Sequence, residues 1–170
     1  MKTLEEEVIK RTLEYFYEYL SAPATGDIWL DQAIGHVRFA MEERHLFRCI
    51  NDPEHASVQK KHTVWIWESI GKMLSDHELF DGLSEEKISR IRTTRWLFLH
   101  GISSLISNEC FSVPEADIHA KLWEDSNISI LDIIRTVNRI IYEGLKNDNI
   151  LNALEIYPDK NGRNPSDNLK

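Results

Sequence analysis

The sequence predicts an all-α fold, a helical bundle of about six to seven helices. Apolar residues recur at helical spacing along most of the chain, and no alternating pattern lasts long enough to form a sheet. The five prolines and three of the seven glycines lie between these periodic segments or at their starts, where they mark loops and helix ends. A length of 170 residues suits one domain, which we place at residues 1–157. The polar tail at 158–170 is expected to be disordered.

The first helix is predicted over Thr3–Leu20. Three consecutive glutamates, at positions 5 to 7, fall in its first turn, where acidic side chains favour the helix dipole. Its apolar line is expected to face the core of the bundle. The line consists of Leu4, Val8, Thr12, Phe16 and Leu20, with Ile9 and Leu13 on its flank.

Three further helices are predicted between residues 27 and 77. The first of them follows the loop SAPATG and is capped by Asp27. A short helix comes next and is ended by the Asn-Asp-Pro sequence at 51–53. Proline is a good first-turn residue, so Pro53 is expected to open the following helix. The predicted ranges are Asp27–Glu43, His45–Ile50 and Pro53–His77.

Two long helices are predicted in the second half of the chain. One is capped by Ser84 and reaches Ser107, and it is apolar on nearly every side after Trp96, which predicts burial on more than one face. Residues 114–123 form a short helix or a long connection. The last helix is predicted over Ser126–Lys146. Its apolar stripe consists of Ile130, Ile133, Ile134, Val137, Ile140, Ile141 and Leu145.

The charge balance and the missing motifs exclude several classes of function. Twenty Lys and Arg against 28 Asp and Glu give a net charge of −8, which argues against nucleic-acid binding by bulk charge. The longest stretch without a charged residue, Trp96–Asn108, is too short to cross a membrane, and the N-terminus does not resemble a secretory signal. Cys49 and Cys110 lie far apart in the sequence and form neither a disulfide framework nor a zinc motif. A reducing environment, and therefore a cytoplasmic location, is expected. Since nucleotide-binding, hydrolase and zinc motifs are absent, we expect neither an enzyme nor a cofactor.

Histidine and tryptophan side chains are the candidates for a binding site. His100 lies in the most apolar stretch, so it is either a core histidine with one hydrogen-bond partner or a polar group in a ligand cavity. Trp65 and Trp67 face different sides of one helix, and such residues suit a pocket wall as well as a packed core. His55 and His62 lie two turns apart and do not chelate one ion, so no metal site is expected.

Basic residues and glycines inside the predicted helices raise two further alternatives. The four basic side chains of residues 87–95 stand beside two glutamates, which favours a solvated face over a phosphate site. Arg95 is the exception, because it leads directly into the apolar half of its helix. Gly35 and Gly101 lie in helix interiors, where glycine costs about 1 kcal/mol relative to alanine. A close helix–helix approach or space for a ligand would offset that cost.

Two segments resemble the C-terminal domains of tetracycline-repressor-like (TetR/AcrR) regulators. Residues 37–48, VRFAMEERHLFR, are similar to a helix end and a following short helix of that family. Residues 96–107, WLFLHGISSLIS, are similar to its W-x-x-x-HG-x-x-x-L helix. The two segments stand in the family's order, and the resemblance covers about Thr3–Lys146. It implies a regulatory domain that binds an effector within its helical core, dimerises, and moves DNA-binding heads through a linking helix.

The family's DNA-binding helix-turn-helix has no counterpart in this sequence. The chain begins where the linking helix would, and its first 20 residues carry three basic and five acidic side chains. Two explanations stay open: a truncated product, or a natural regulator core without a DNA reader. In both, DNA is expected to be bound only through a helix-turn-helix domain not seen in this chain.

The resemblance and the concentration of aromatic and histidine side chains predict an effector cavity between the second, fourth and fifth helices. The predicted ligand-binding residues are Phe39, Trp65, Trp96, His100, His36 and His62. The last two long helices carry more apolar surface than one core needs, which predicts a two-fold homodimer. The predicted interface residues are Trp96, Ile102, Leu105, Ile130, Ile134, Val137, Ile141 and Leu145.

These features together predict a cytoplasmic, homodimeric, effector-sensing domain of a TetR-like transcriptional regulator, with no membrane partner. The effector is expected to be small, apolar or aromatic, with one or two polar groups. The alternative function is a helical dimer without a ligand, which acts as a scaffold or titrates a full-length regulator.

Overall fold

The computed structural model confirms the predicted all-α bundle. It describes residues 2–75, 77–111, 113, 117–121 and 127–146. Within these ranges an isolated antiparallel bridge between Lys121 and Ser129 is the only β pairing. Short 3₁₀ turns cover Pro53–His55 and Glu78–Phe80. The six α-helices of the described part are α1 Lys2–Ser21, α2 Ile28–Glu42, α3 Arg44–Ile50, α4 Ala56–Ser75, α5 Glu85–Ser107 and α6 Ile130–Lys146.

Some predicted segments fall wholly or partly outside these ranges. The tail at 158–170 lies outside them, as do Trp123 and most of the connection predicted at 114–123. The part of that connection that is described, 117–121, contains a turn rather than a helix. None of the helices in the described ranges combines the length and the apolar character needed to cross a membrane.

Two of the predicted helix starts are confirmed by their capping hydrogen bonds. The Asp27 carboxylate accepts hydrogen bonds from the backbone N–H groups of Trp29 and Leu30, at 2.9 and 3.3 Å. The Ser84 hydroxyl accepts one from the N–H of Lys87, at 3.3 Å. These bonds satisfy N–H groups that have no partner within the helix, so α2 and α5 begin where the sequence places them.

The last helix begins later than predicted, at Ile130 rather than Ser126. The Ser129 hydroxyl accepts a hydrogen bond from the N–H of Asp132 at 3.1 Å, and the Asp132 carboxylate accepts one from the N–H of Ser129 at 3.2 Å. This reciprocal pair is a capping box. The N–H of Ile130 also donates to the Ala120 carbonyl, at 3.0 Å. These bonds make Ser129 the N-cap, so the helical repeat starts at Ile130.

The predicted apolar line of α1 is buried only from Thr12 onward, where Thr12, Phe16 and Leu20 face the core. Leu4 and Val8 are 71% and 46% exposed, although their spacing suggested that they face the core. The physical reason is that α1 packs against both α2 and α4, and the side that meets both helices includes Ile9 rather than Val8. The buried apolar side chains of α1 are Ile9, Leu13, Phe16 and Leu20.

Helix α2 lies at the centre of the bundle. It packs against α1 on one side and against α5 and α6 on the other. Two apolar clusters result from this arrangement. The first surrounds Phe16, Phe39 and Phe47 between α1, α2, α3 and α4. The second surrounds Val37 and Ile106 between α2, α5 and α6.

The two mid-helix glycines have different surroundings. A Cβ on Gly35 would overlap the backbone carbonyl of Tyr19, so only glycine permits this close approach of α1 and α2. Gly101 is exposed, and beyond its own stretch of helix no atom of the described residues lies within 4 Å of the position that its Cβ would take. The close helix–helix approach therefore explains Gly35 and leaves Gly101 on an outward face.

Candidate functional site

A cavity of about 520 Å³ opens beside the first apolar cluster. Its volume lies in the range of small-ligand pockets, roughly 300–1,000 Å³. Residues of α1, α2, α3, α4 and α5 contribute to its wall. The apolar wall residues are Leu13, Phe16, Phe47, Ile50, Val64, Ile66, Trp67 and Trp96, and the polar ones are His36, Asn51, Gln59, Lys60, Thr63, Glu68 and His100.

The cavity lies between α4 and α5, which meet at Trp67. The Trp67 ring contacts Trp96 edge to face, with ring centroids 5.9 Å apart. The guanidinium of Arg92 lies 4.4 Å from the centroid of the Trp67 ring and donates a hydrogen bond to the Trp67 carbonyl oxygen at 2.6 Å. Further along the same helices, Thr63 and His100 line the cavity. The cavity therefore separates α4 from α5 beyond the tryptophan contact.

His36 is the most deeply buried polar group of the cavity wall, with 1% of its surface exposed. Neither of its ring nitrogens has a hydrogen-bond partner among the described residues. Its neighbours are aromatic, because Trp96 and Phe16 pack edge to face against the ring at 4.7 and 5.1 Å. Burial, with smaller contributions from the nearby charges of His100 and Arg95, lowers the pKa of His36 to about 3. The imidazole is therefore neutral near pH 7, with one donor and one acceptor nitrogen free for a ligand.

His100 completes the polar part of the inner wall. Its ring centroid lies 6.3 Å from that of His36 and 5.6 Å from that of Phe47. Partial burial lowers the pKa of His100, so this ring also favours the neutral form. Of the two interpretations that the sequence left open, the structure places His100 on the cavity wall.

The open side of the cavity runs along α4. Lys60, Val64 and Glu68 are exposed and line the opening, and Val64 is 56% exposed. An incoming molecule therefore passes side chains of both charge signs before it reaches the apolar interior.

Two arginines lie behind the tryptophan contact. They line a second, small cavity of about 10 Å³ that shares His36, Trp67 and Trp96 with the large one. Arg95 is 5% exposed, stacks on the Trp29 ring and donates to the Trp29 carbonyl oxygen. Burial, together with the nearby charge of Arg92, lowers the pKa of Arg95 to about 9.

Three of the six predicted ligand residues do not reach the cavity, and this part of the prediction is corrected. Phe39 is fully buried against α1, with its ring 4.9 Å from that of Phe16. Trp65 packs on Tyr17 at 5.0 Å, and His62 pairs with Glu6 at 3.4 Å. The reason is angular, because positions 62 and 65 of α4 face α1 while positions 60, 63, 64 and 67 face the cavity. His36, Trp96 and His100 do line it.

Several wall residues escaped the sequence prediction, above all Trp67, Phe47 and Thr63. The spacing of Trp65 and Trp67 showed that the two rings face different sides of α4, but not which side faces α5. Phe47 belongs to the short helix α3, which has too few residues for a clear apolar face. A usable signal was helical spacing, because Lys60, Thr63, Val64 and Trp67 recur at intervals of three and four residues and so share one face of α4.

The predicted dimer interface is also corrected in part. Ile102, Ile130 and Ile134 are 7%, 0% and 0% exposed within a single chain, so they are not available to a partner. Trp96 lines the cavity, and Ile141 and Leu145 pack against the first apolar cluster. Leu105 is 44% exposed and Val137 is partly exposed. On α5 the outward positions are Leu97, Gly101 and Leu105, and on α6 the exposed large apolar residue is Ile140.

Other chemical features of the described residues are few. They contain no group of three or more His, Cys, Asp or Glu side chains placed to hold a metal ion. Cys49 and Cys110 are free thiols, the first partly buried and the second exposed. In comparisons with protein-family models, curated proteins and solved structures, this chain matches none of them.

Proposed function

We propose that the chain is the effector-binding and dimerisation domain of a TetR-like transcriptional regulator. One observation carries the proposal: a cavity of about 520 Å³ holds a fully buried His36 whose nitrogens have no partner among the described residues. A buried polar group without a hydrogen bond destabilises the folded chain, and a ligand in the cavity would supply the missing bond. The aromatic wall suits a small apolar or aromatic effector.

Helix α1 is the element through which binding would be transmitted to DNA-binding heads. Leu13 and Phe16 of α1 form part of the cavity wall. Glu6 of α1 also pairs with Lys61 of α4, at 2.5 Å. A ligand that favours one arrangement of α4 therefore favours one position of α1. Such a switch requires the ligand to bind the two arrangements with different affinities.

The homodimer belongs to the same proposal, with a second copy covering the outward face of α5, formed by Leu97, Gly101 and Leu105, and the exposed Ile140 of α6. Leu97 and Ile140 are 67% and 63% exposed, which is costly for large aliphatic side chains in water. Gly101 stands between the two leucines at helical spacing and would allow the partner's backbone to approach closely. A two-fold axis would bury both copies of this face at once.

The cavity is tested by thermal unfolding in the presence of a panel of small aromatic and aliphatic compounds. We expect some of them to raise the melting temperature of the wild type, because they bind the folded state alone. Thr63→Trp, which fills the cavity from α4, should abolish the shift. The matched control is Trp65→Phe, on the side of α4 that packs against Tyr17, which should retain it.

A panel that stabilises neither the wild type nor the control would contradict effector binding. That result would favour the alternative of a helical dimer without a ligand. A shift that survives in Thr63→Trp would show that the compounds bind elsewhere.

A further inference from the structure

The inner end of the cavity carries a surplus of buried hydrogen-bond donors, and this surplus bears on the chemical class of the ligand. We infer that the effector is an organic acid, whose apolar body fills the large cavity and whose carboxylate is bound by Arg92, Arg95 and His36. This inference rests on the proposed effector-binding function and specifies its ligand.

The unpartnered buried atoms at this end are almost all donors. They are the Nε atoms of Arg92 and Arg95, the Nε2 amide of Gln32 and both ring nitrogens of His36. All four residues line the small inner cavity. One nitrogen of a neutral imidazole accepts, and the other groups can only donate. These groups therefore need a hydrogen-bond acceptor. A carboxylate offers two oxygens with several lone pairs.

The positive charges of Arg92 and Arg95 at this end of the cavity also favour a negatively charged ligand. Arg92 and Arg95 are three residues apart on α5, so their guanidinium groups lie on one side of the helix and repel each other. Neither forms an ion pair with a carboxylate in the described part of the chain. Asp27, the acidic group that acts on Arg95, pairs with His77 at 3.4 Å and caps α2 instead. A buried cation such as Arg95 is unfavourable without a counter-ion, and a bound carboxylate would also offset the repulsion between the two arginines.

The large cavity gives access to this wall. His36, Trp67 and Trp96 belong to both cavities, and the edge-to-face contact of the two indoles is the partition between them. The inner cavity, at about 10 Å³, has room for little more than a water-sized group. A carboxylate therefore fits only if one indole shifts, while the rest of the molecule stays among the aromatic rings of the large cavity.

Two cations near the cavity, Arg95 and Lys60, have roles that differ from the proposed binding of a carboxylate at the inner end. Arg95 also holds α2 through the Trp29 carbonyl and the Gln32 amide oxygen, so its loss destabilises the chain whatever the ligand. Lys60 is an exposed cation at the opening and offers a different place for an acid to bind. Arg92 is the better probe, because it is only partly buried and, among the described residues, its side chain donates a hydrogen bond to the Trp67 carbonyl alone.

The test compares two probes of the same shape, 2-naphthoate and 2-naphthamide, by titration calorimetry with the full chain near pH 7. We expect wild type to bind the acid at least about tenfold more tightly than the amide, since hydrogen bonds to a charged group are the stronger ones. Arg92→Met should lose this preference, and Arg92→Lys should keep part of it. Arg90→Met removes an exposed arginine of α5 that pairs with Glu86, and it should bind like the wild type.

Each other outcome overturns the inference. Equal or tighter binding of the amide by wild type would show that the cavity does not select acids, and it would leave the proposed function intact. A preference that is lost in Lys60→Met but kept in Arg92→Met would place the carboxylate at the opening instead. If neither probe binds while other compounds stabilise the chain, the inference alone fails. If no compound binds, the proposed function fails with it.

Discussion

The buried imidazole of His36 makes the stability of the chain depend on pH. Burial lowers its pKa from 6.5 to about 3, so below pH 6.5 the unfolded chain takes up a proton that the folded chain does not. Acid therefore favours the unfolded state through this group. Between pH 7 and pH 5 the effect amounts to about 2 kcal/mol of the free energy of unfolding. We expect His36→Phe to lose it, as measured by urea unfolding at the two pH values.

His55 is a suitable control, because its pKa is shifted in the opposite direction to that of His36. The Cys49 carbonyl, and to a smaller extent Glu5, raise the pKa of His55, so protonation of this group favours the folded state. That stability is fully present below the ordinary pKa of 6.5 and is lost as the pH rises through the raised value. His55→Phe should therefore lose more stability in acid than wild type does. An unchanged pH dependence in His36→Phe would contradict the buried, unpartnered imidazole.

Gly35 is the position where a single methyl group has the largest expected effect. The Cβ of alanine would overlap the Tyr19 carbonyl, and backbone atoms of a packed helix cannot move aside cheaply. Gly35→Ala should lower the free energy of unfolding by about 2–3 kcal/mol, measured in urea. Thr94→Ala, on the exposed side of α5, is the control and should leave the stability nearly unchanged. Wild-type stability in Gly35→Ala would show that α1 and α2 are further apart.

At the scale of the helices, the outward face of α5 is expected to hold the dimer together. Leu97→Glu combined with Leu105→Glu places two charges on that face without touching the core. Light scattering should report twice the chain mass of 19.9 kDa for wild type and the single mass for the double variant, with its helical circular dichroism retained. Val64→Glu, a similar change on exposed α4, should stay dimeric. A wild type of 19.9 kDa would reject the dimer.

The helices themselves were predictable because their signals are local. Asp27 and Ser84 cap α2 and α5 through bonds to N–H groups two or three residues away, and such bonds are visible in the sequence. The start of α6 was missed although its capping box of Ser129 and Asp132 is local, and a bond from the Ile130 N–H to the distant Ala120 carbonyl also fixes this start. Local chemistry therefore predicts where a helix is capped better than where a distant backbone restrains it.

At the scale of the whole molecule, the sequence did not show which apolar face meets which neighbour. Ile134 and Ile140 belong to one predicted stripe, yet the first is fully buried and the second is 63% exposed. Likewise His62 and Trp67 lie on one helix, but only Trp67 faces the cavity. These differences depend on how α4 and α6 are rotated about their own axes in the bundle. That rotation is set by packing partners far along the chain.

The charge of the whole chain also has a measurable consequence. A net charge of −8 repels the phosphate backbone, so we expect the isolated 170-residue chain not to bind duplex DNA. Fluorescence anisotropy of a labelled mixed-sequence duplex should stay flat at micromolar protein and physiological salt. Lowering the salt concentration serves as the control, since a weak basic site would then become visible. Tight binding at physiological salt would contradict the expectation.

The missing side chain at Gly71 bears on how quickly a bound molecule could leave. The Arg92 guanidinium occupies the space beside Gly71, so closely that a Cβ on Gly71 would lie 2.6 Å from one of its nitrogens. The flexible end of Arg92 would give way in Gly71→Ala and release its hold on Trp67, which forms the partition of the cavity. Residence time would then shorten, with faster association and dissociation in stopped-flow tryptophan fluorescence. Residue 71 would thus set the rate of exchange from a position that touches no ligand.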